Sequence, residues 1–74
     1  MMNCFIRLKN NDYVEIKELK EIKFSYPHSQ RVTNIKVDNI QDLKISYEAN
    51  YVFIGKSTVV IKGDEIQYVQ LFES

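Results

Sequence analysis

A 74-residue chain with ten Lys and Arg against ten Asp and Glu carries a formal net charge of zero. That balance excludes a protein built around a basic field, so neither duplex DNA nor a membrane surface is an expected partner. With 45% hydrophobic and 27% charged residues, the composition is that of one ordinary folded domain spanning 1–74, whose core buries roughly 60% of the unfolded surface.

In chain order, residues 3–9 alternate, with Cys4, Ile6 and Leu8 on one face and Phe5, Arg7 and Lys9 on the other. Asn10-Asn11-Asp12 is a turn, because Asn and Asp side chains bond their own backbone and tolerate left-handed conformations. The first two strands therefore form a hairpin. Residues 14–26 then read VEIKELKEIKFSY, and a matching unit returns at 35–47 as IKVDNIQDLKISY. Apolar positions coincide at Val14/Ile35, Ile16/Val37, Leu19/Ile40, Ile22/Leu43 and Phe24/Ile45, and both units end in Lys-x-Ser-Tyr. A looser third copy occupies 59–71, through Val59, Ile61, Ile66, Val69 and Leu71.

Within each unit the alternation of a half-buried strand is interrupted once, at Leu19, Ile40 and Ile66. The reading is strand, corner, strand, with the middle apolar residue pinning the corner into the core. A helix through 12–22, opened by Asp12 and Glu15 as a capping box, would throw Val14 and Phe24 off its stripe. A single helical turn at a corner is compatible with the strand reading. Residues 27–31, with the only proline, form the longest expected loop, and further turns fall at 48–50, 55–57 and 63–65. Roughly seven to eight short strands predict a mainly β fold, a small and strongly bent antiparallel barrel or meander.

Most chemical constellations fail on these residues. One Cys and one His cannot assemble a zinc site within the chain, and no metal or cofactor is expected. His28 falls in the proline loop and reads as a solvated side chain. Cys4 lies on an alternating strand with no base beside it and reads as a small core residue. Gly55-Lys56-Ser57-Thr58 lacks the earlier glycine and the following helix of a phosphate-binding loop. The pairs Glu15/Glu18 and Asp64/Glu65 read as solvated surface. No enzyme signature survives.

Ile54-Gly55, followed by Val59-Val60-Ile61-Lys62-Gly63-Asp64-Glu65-Ile66-Gln67-Tyr68-Val69, resembles the second signature of Sm-like RNA-binding proteins. Leu8-Lys9-Asn10-Asn11 and Thr33-Asn34-Ile35-Lys36-Val37-Asp38 resemble the opening and closing of the first signature, without its glycines and aspartate. The resemblance implies a five-stranded bent barrel that assembles into rings. It also implies single-stranded RNA read by a loop bearing Asn34 and a loop bearing Lys62 and Gly63. The five tyrosines, Tyr13, Tyr26, Tyr47, Tyr51 and Tyr68, fall near strand ends. They read as rim residues that cover the core, with a base-stacking platform as the other use of such rings.

No apolar run approaches the ~20 residues of a spanning helix, and no signal-peptide core opens the chain. The lone Cys4 fits a reducing compartment, so the cytoplasm is the expected location. A single Ala and two Arg among many Ile, Lys and Asn fit an AT-rich genome, that of a low-GC bacterium or of its phages and mobile elements. Two functional expectations follow: a non-catalytic module that binds a protein or itself, and an Sm-like, ring-forming RNA binder.

Overall fold

The computed structural model describes residues 1–73, and its regular elements are strands and short 3-10 turns. The strands are β1 (Met2–Leu8), β2 (Tyr13–Ile16), β3 (Glu21–Ser25), β4 (Thr33–Lys36), β5 (Asn50–Ile54), β6 (Thr58–Lys62) and β7 (Ile66–Glu73). They form two antiparallel sheets, a three-stranded one in the order β2-β1-β7 and a four-stranded one in the order β4-β3-β5-β6. The first turn is the one expected: Asn11 takes a left-handed φ of 73°, and Asn10 Oδ1 accepts a hydrogen bond from the Asp12 N–H at 2.9 Å.

The chain passes between the sheets twice, and each passage is one of the predicted corners. Between β2 and β3 the backbone bends at Glu18, whose φ is 54°. Three successive amides at the bend stay paired. Leu19 N–H donates to Met2 O at 2.7 Å, Lys20 N–H to Ile54 O at 2.8 Å, and Glu18 N–H to the buried Asn3 Oδ1 at 3.2 Å. A residue that leaves the strand alternation can thus keep its amide paired, which a buried corner requires. Leu19 fills the space beneath. Between β6 and β7 a 3-10 turn over Gly63–Glu65 does the same work, with Ile66 buried below it.

Cys4 and Ile6 of β1, Ile16 and Ile22 of the bent β2–β3 segment, Tyr51 and Phe53 of β5, Ile61 and Ile66 form the core with Leu19 and Ala49. Inward residues pair across strands, as in Cys4 opposite Ile16 and Leu71, or Ile22 opposite Phe53. The fold is the meander of the two expected shapes, because the two sheets do not close into a barrel.

The second repeat departs from its expected form. Its first limb is β4 and its corner is a 3-10 turn over Val37–Asp42, but residues 43–47 are not a strand. β3 is already paired on one side by β4 and on the other by β5, while the outer edges of β4 and β6 stay open. The segment crosses the end of the core instead, held by Tyr51: its hydroxyl donates to Lys44 O at 2.9 Å and accepts from Ser46 N–H at 2.7 Å. Ile40 is accordingly half-buried where Leu19 and Ile66 are buried.

Candidate functional site

Alternation along β1 buries Cys4 and Ile6 and turns Phe5 and Arg7 outward. The register then sets Phe5 between Glu15 and Gln70, Arg7 between Tyr13 and Tyr68, and Asn3 beside Phe72. The outward face of the three-stranded sheet is therefore aromatic across all of its strands. Phe5 and Tyr13 stack with centroids 5.3 Å apart and planes 19° from parallel, and Tyr68 lies 6.3 Å away on the other side of Phe5.

The Arg7 guanidinium lies over both rings, 5.4 Å from the Phe5 centroid and 5.9 Å from that of Tyr13, and donates to Asn11 O at 3.1 Å. A cation held over ring faces and pinned by a carbonyl is oriented before any partner arrives. Tyr13 is 60% exposed, Tyr68 45% and Phe72 38%, so the rings remain open to a partner. Scattered surface apolar groups need no explanation, but Phe5, Tyr13 and Tyr68 beside one arginine form a contiguous patch, with Phe72 further along β7 on the same face.

The tyrosines thus divide. Tyr13 and Tyr68 stand on this sheet face and not on a rim. Tyr51 is fully buried, and burial raises its phenol above the ordinary value, opposed by the hydrogen bond from the Ser46 backbone. Tyr26 and Tyr47 are exposed together with Pro27, His28 and Glu48, around a surface depression of about 310 Å³. Sequence alternation had already put Phe5 and Arg7 on one outward face. What it lacked was the pairing of β1 with the last strand, which brings Tyr68 and Phe72 alongside.

The residues singled out by the Sm-like resemblance lie elsewhere. Asn34 is in β4 rather than in a loop, opposite Lys23. Lys62 ends β6 on the same outward face of the four-stranded sheet, but β4 and β6 are its two edges. Three strand spacings of about 4.8 Å put roughly 14 Å between those edges, so the structure does not bring Asn34 and Lys62 together. Gly63 is buried, its N–H donating to Ala49 O at 2.8 Å, and a Cβ there would fall 1.9 Å from Ser46 O. Its need for glycine is therefore one of packing.

Cys4 is buried at 0% exposure, and burial pushes its thiol from 9.0 up to about 12, which removes the thiolate at neutral pH. His28 is exposed in its loop. Among the described residues no three of His, Cys, Asp and Glu gather as metal ligands. A depression of about 450 Å³ over the β2–β3 corner is lined by Met1, Met2, Glu18, Leu19, Lys20 and Val37. Nor is any helix among the described residues long and apolar enough to cross a membrane.

No protein-family model, curated protein or solved structure matches the chain.

Proposed function

We propose that this chain is a non-catalytic protein-interaction module of the cytoplasm whose docking surface is the outward face of the three-stranded sheet. The observation that carries the reading is the composition of that face: Phe5, Tyr13 and Tyr68 beside a pre-oriented Arg7, with Phe72 further along β7. Aromatic residues and arginine supply most binding energy in protein interfaces, while lysine and glutamate are depleted there. They present a large rigid area at small entropic cost, since few torsions must be frozen.

A second reading has its own support, because a row of exposed rings is also the chemistry that stacks unpaired bases. A single-stranded RNA needs a cationic track beside such rings. Here Arg7 is engaged within the patch, Glu15 stands next to Phe5, and the chain is neutral overall. These features favour a protein.

The test is affinity capture from source-cell extract with the unmodified chain and with a Tyr13→Ala/Tyr68→Ala variant, each with and without nuclease. The proposal expects a protein retained after nuclease treatment and lost with the double variant. Capture that disappears with nuclease, or that ignores the double substitution, refutes it.

A further inference from the structure

We infer that the free edge of β7 pairs with the same edge of a second copy, joining two three-stranded sheets into one six-stranded sheet. The argument begins from how edges are protected. A strand hydrogen-bonded on one side presents a row of unpaired amides and carbonyls on the other, and natural chains blunt such rows with short length, charge or proline. The fold has four edge strands, β2 and β7 in one sheet and β4 and β6 in the other. β2 reads YVEI, β4 reads TNIK and β6 reads TVVIK; each is four or five residues long and carries a charge. β7 runs for eight residues, IQYVQLFE, with no proline, no glycine and no charge before Glu73. It is bonded to β1 alone, over almost its full length. Three edges are short and charged, whereas on β7 the irregularity at Gln67 and the charge of Glu73 still leave the run of residues 68–72 open.

The occupant follows from the side chains of β7. A two-fold pairing must set outward residues opposite outward residues, since directly opposed residues of an antiparallel pair share a face. Centred on Gln70, it does so throughout. Gln70 meets Gln70 of the second copy, Val69 meets Leu71, and Tyr68 meets Phe72. The register with β1 turns Tyr68, Gln70 and Phe72 outward and Val69 and Leu71 inward, so each of these pairs is matched in kind. Aromatic and aliphatic pairs of this sort are the stabilising contacts between strands. The same edge is self-complementary, which is what a closed two-fold interface demands. Pairing also makes the aromatic strip continuous across the two copies. The inference does not depend on docking of another protein, since it uses the edge and not the exposed ring faces.

Three measurements test it. Light scattering on the eluting peak of a sizing column should give twice the 8.8 kDa chain mass, falling to the single mass on dilution. Gln70→Lys, an exposed substitution that opposes two like charges at the axis, should leave urea unfolding of the monomer intact. It should be monomeric at concentrations where the unmodified chain is a dimer. Gln70→Cys should cross-link to its own copy under mild oxidation. Cα atoms across the axis would lie about 4.5–5.5 Å apart, within the roughly 4.4–6.8 Å of a disulfide. Gln67→Cys should not, because in this register its copy is about 20 Å away. A single-chain mass at high concentration overturns the inference. So does a ring of higher mass, which requires β7 to pair with a different edge, and so does a dimer that Gln70→Lys leaves unchanged or that cross-links through Gln67→Cys alone.

Discussion

Gly63→Ala tests whether this glycine serves the fold or a ligand. An added Cβ would stand 1.9 Å from Ser46 O and 3.0 Å from Ala49 O, where real Cβ contacts start at about 3.0 Å. Something must therefore move by about an ångström. The 3-10 turn over Gly63–Glu65 is fixed by Gly63 N–H to Ala49 O at 2.8 Å and by Lys9 N–H to Glu65 O at 2.9 Å. The opposing segment is fixed by the two hydrogen bonds of the Tyr51 hydroxyl, to Lys44 O and from Ser46 N–H. Forcing a methyl into a packed site costs about 1–3 kcal/mol, and more where the surroundings cannot yield. With neither side free, the upper part of that range is expected, about 3 kcal/mol, from a total of roughly 4–11 for a chain of this length. Urea midpoints measure it. Tyr51→Phe, which frees the Ser46 segment, should itself cost about 1–2 kcal/mol by leaving its partners unsatisfied. The double variant should lose less than the sum, since one change relieves the clash that the other creates. A Gly63→Ala protein within about 0.5 kcal/mol of the unmodified chain would refute the packing account, that being the range of a surface substitution.

The corner residues offer a graded series: Leu19→Ala and Ile66→Ala should each cost about 2–5 kcal/mol, and half-buried Ile40→Ala less, as read from urea midpoints. Equal tolerance of all three would show that the corners are not pinned. Stability should fall as pH rises from 9.0 towards about 12, because the unfolded chain releases the Cys4 proton while the folded chain keeps it. The contribution is present in full below 9.0 and decays by up to about 1.4 kcal/mol per pH unit within that window. Cys4→Ala should flatten the slope, leaving the fall due to Tyr51, whose phenol, raised by burial, acts in the same direction. Lys62→Ala should leave stability within about 0.5 kcal/mol, and under the protein-docking proposal it should not alter partner capture; weakened binding to short RNA at low salt would revive the Sm-like reading.

The repeat was legible because burying a hydrophobic residue at a corner needs the same break in alternation wherever the chain changes sheet. Leu19 and Ile66 carry that signature, and both are buried where the two sheets meet. Ile40 carries it too, yet the limb after it never becomes a strand. Local pattern states which face a segment can bury, but not which partner captures it, and here the Tyr51 hydroxyl takes Lys44 O and Ser46 N–H. The aromatic face was half legible for the same reason. Phe5 and Arg7 are outward by alternation alone, whereas their meeting with Tyr68 and Phe72 depends on pairing between the two ends of the chain. Gly63 stood out only through a resemblance carried with its neighbours, Lys62 and Ile66. Its close approach to Ser46 O has no local mark at all.

The two outward faces differ in a way that bears on which of them the proposed partner would meet. Across the four-stranded sheet, alternation and register turn Lys23, Lys36 and Lys62 outward with Asn34, Asn50 and Glu21, around Val52, Val60 and Ile54. No described residue forms an ion pair with these lysines. Docking there would confine three flexible side chains and strip water from compact, strongly hydrated ammonium groups. Within the strands of the three-stranded sheet the cation is a guanidinium already seated over Phe5 and Tyr13 and bonded to Asn11 O. Its order is set by the fold rather than by the partner. Under the docking proposal, a protein partner would therefore gain most where least remains to be ordered, on the face of Phe5, Arg7, Tyr13 and Tyr68. The lysines on the opposite sheet serve a different end: at Lys36 and Lys62 they charge the edges of β4 and β6, the protection that β7 lacks.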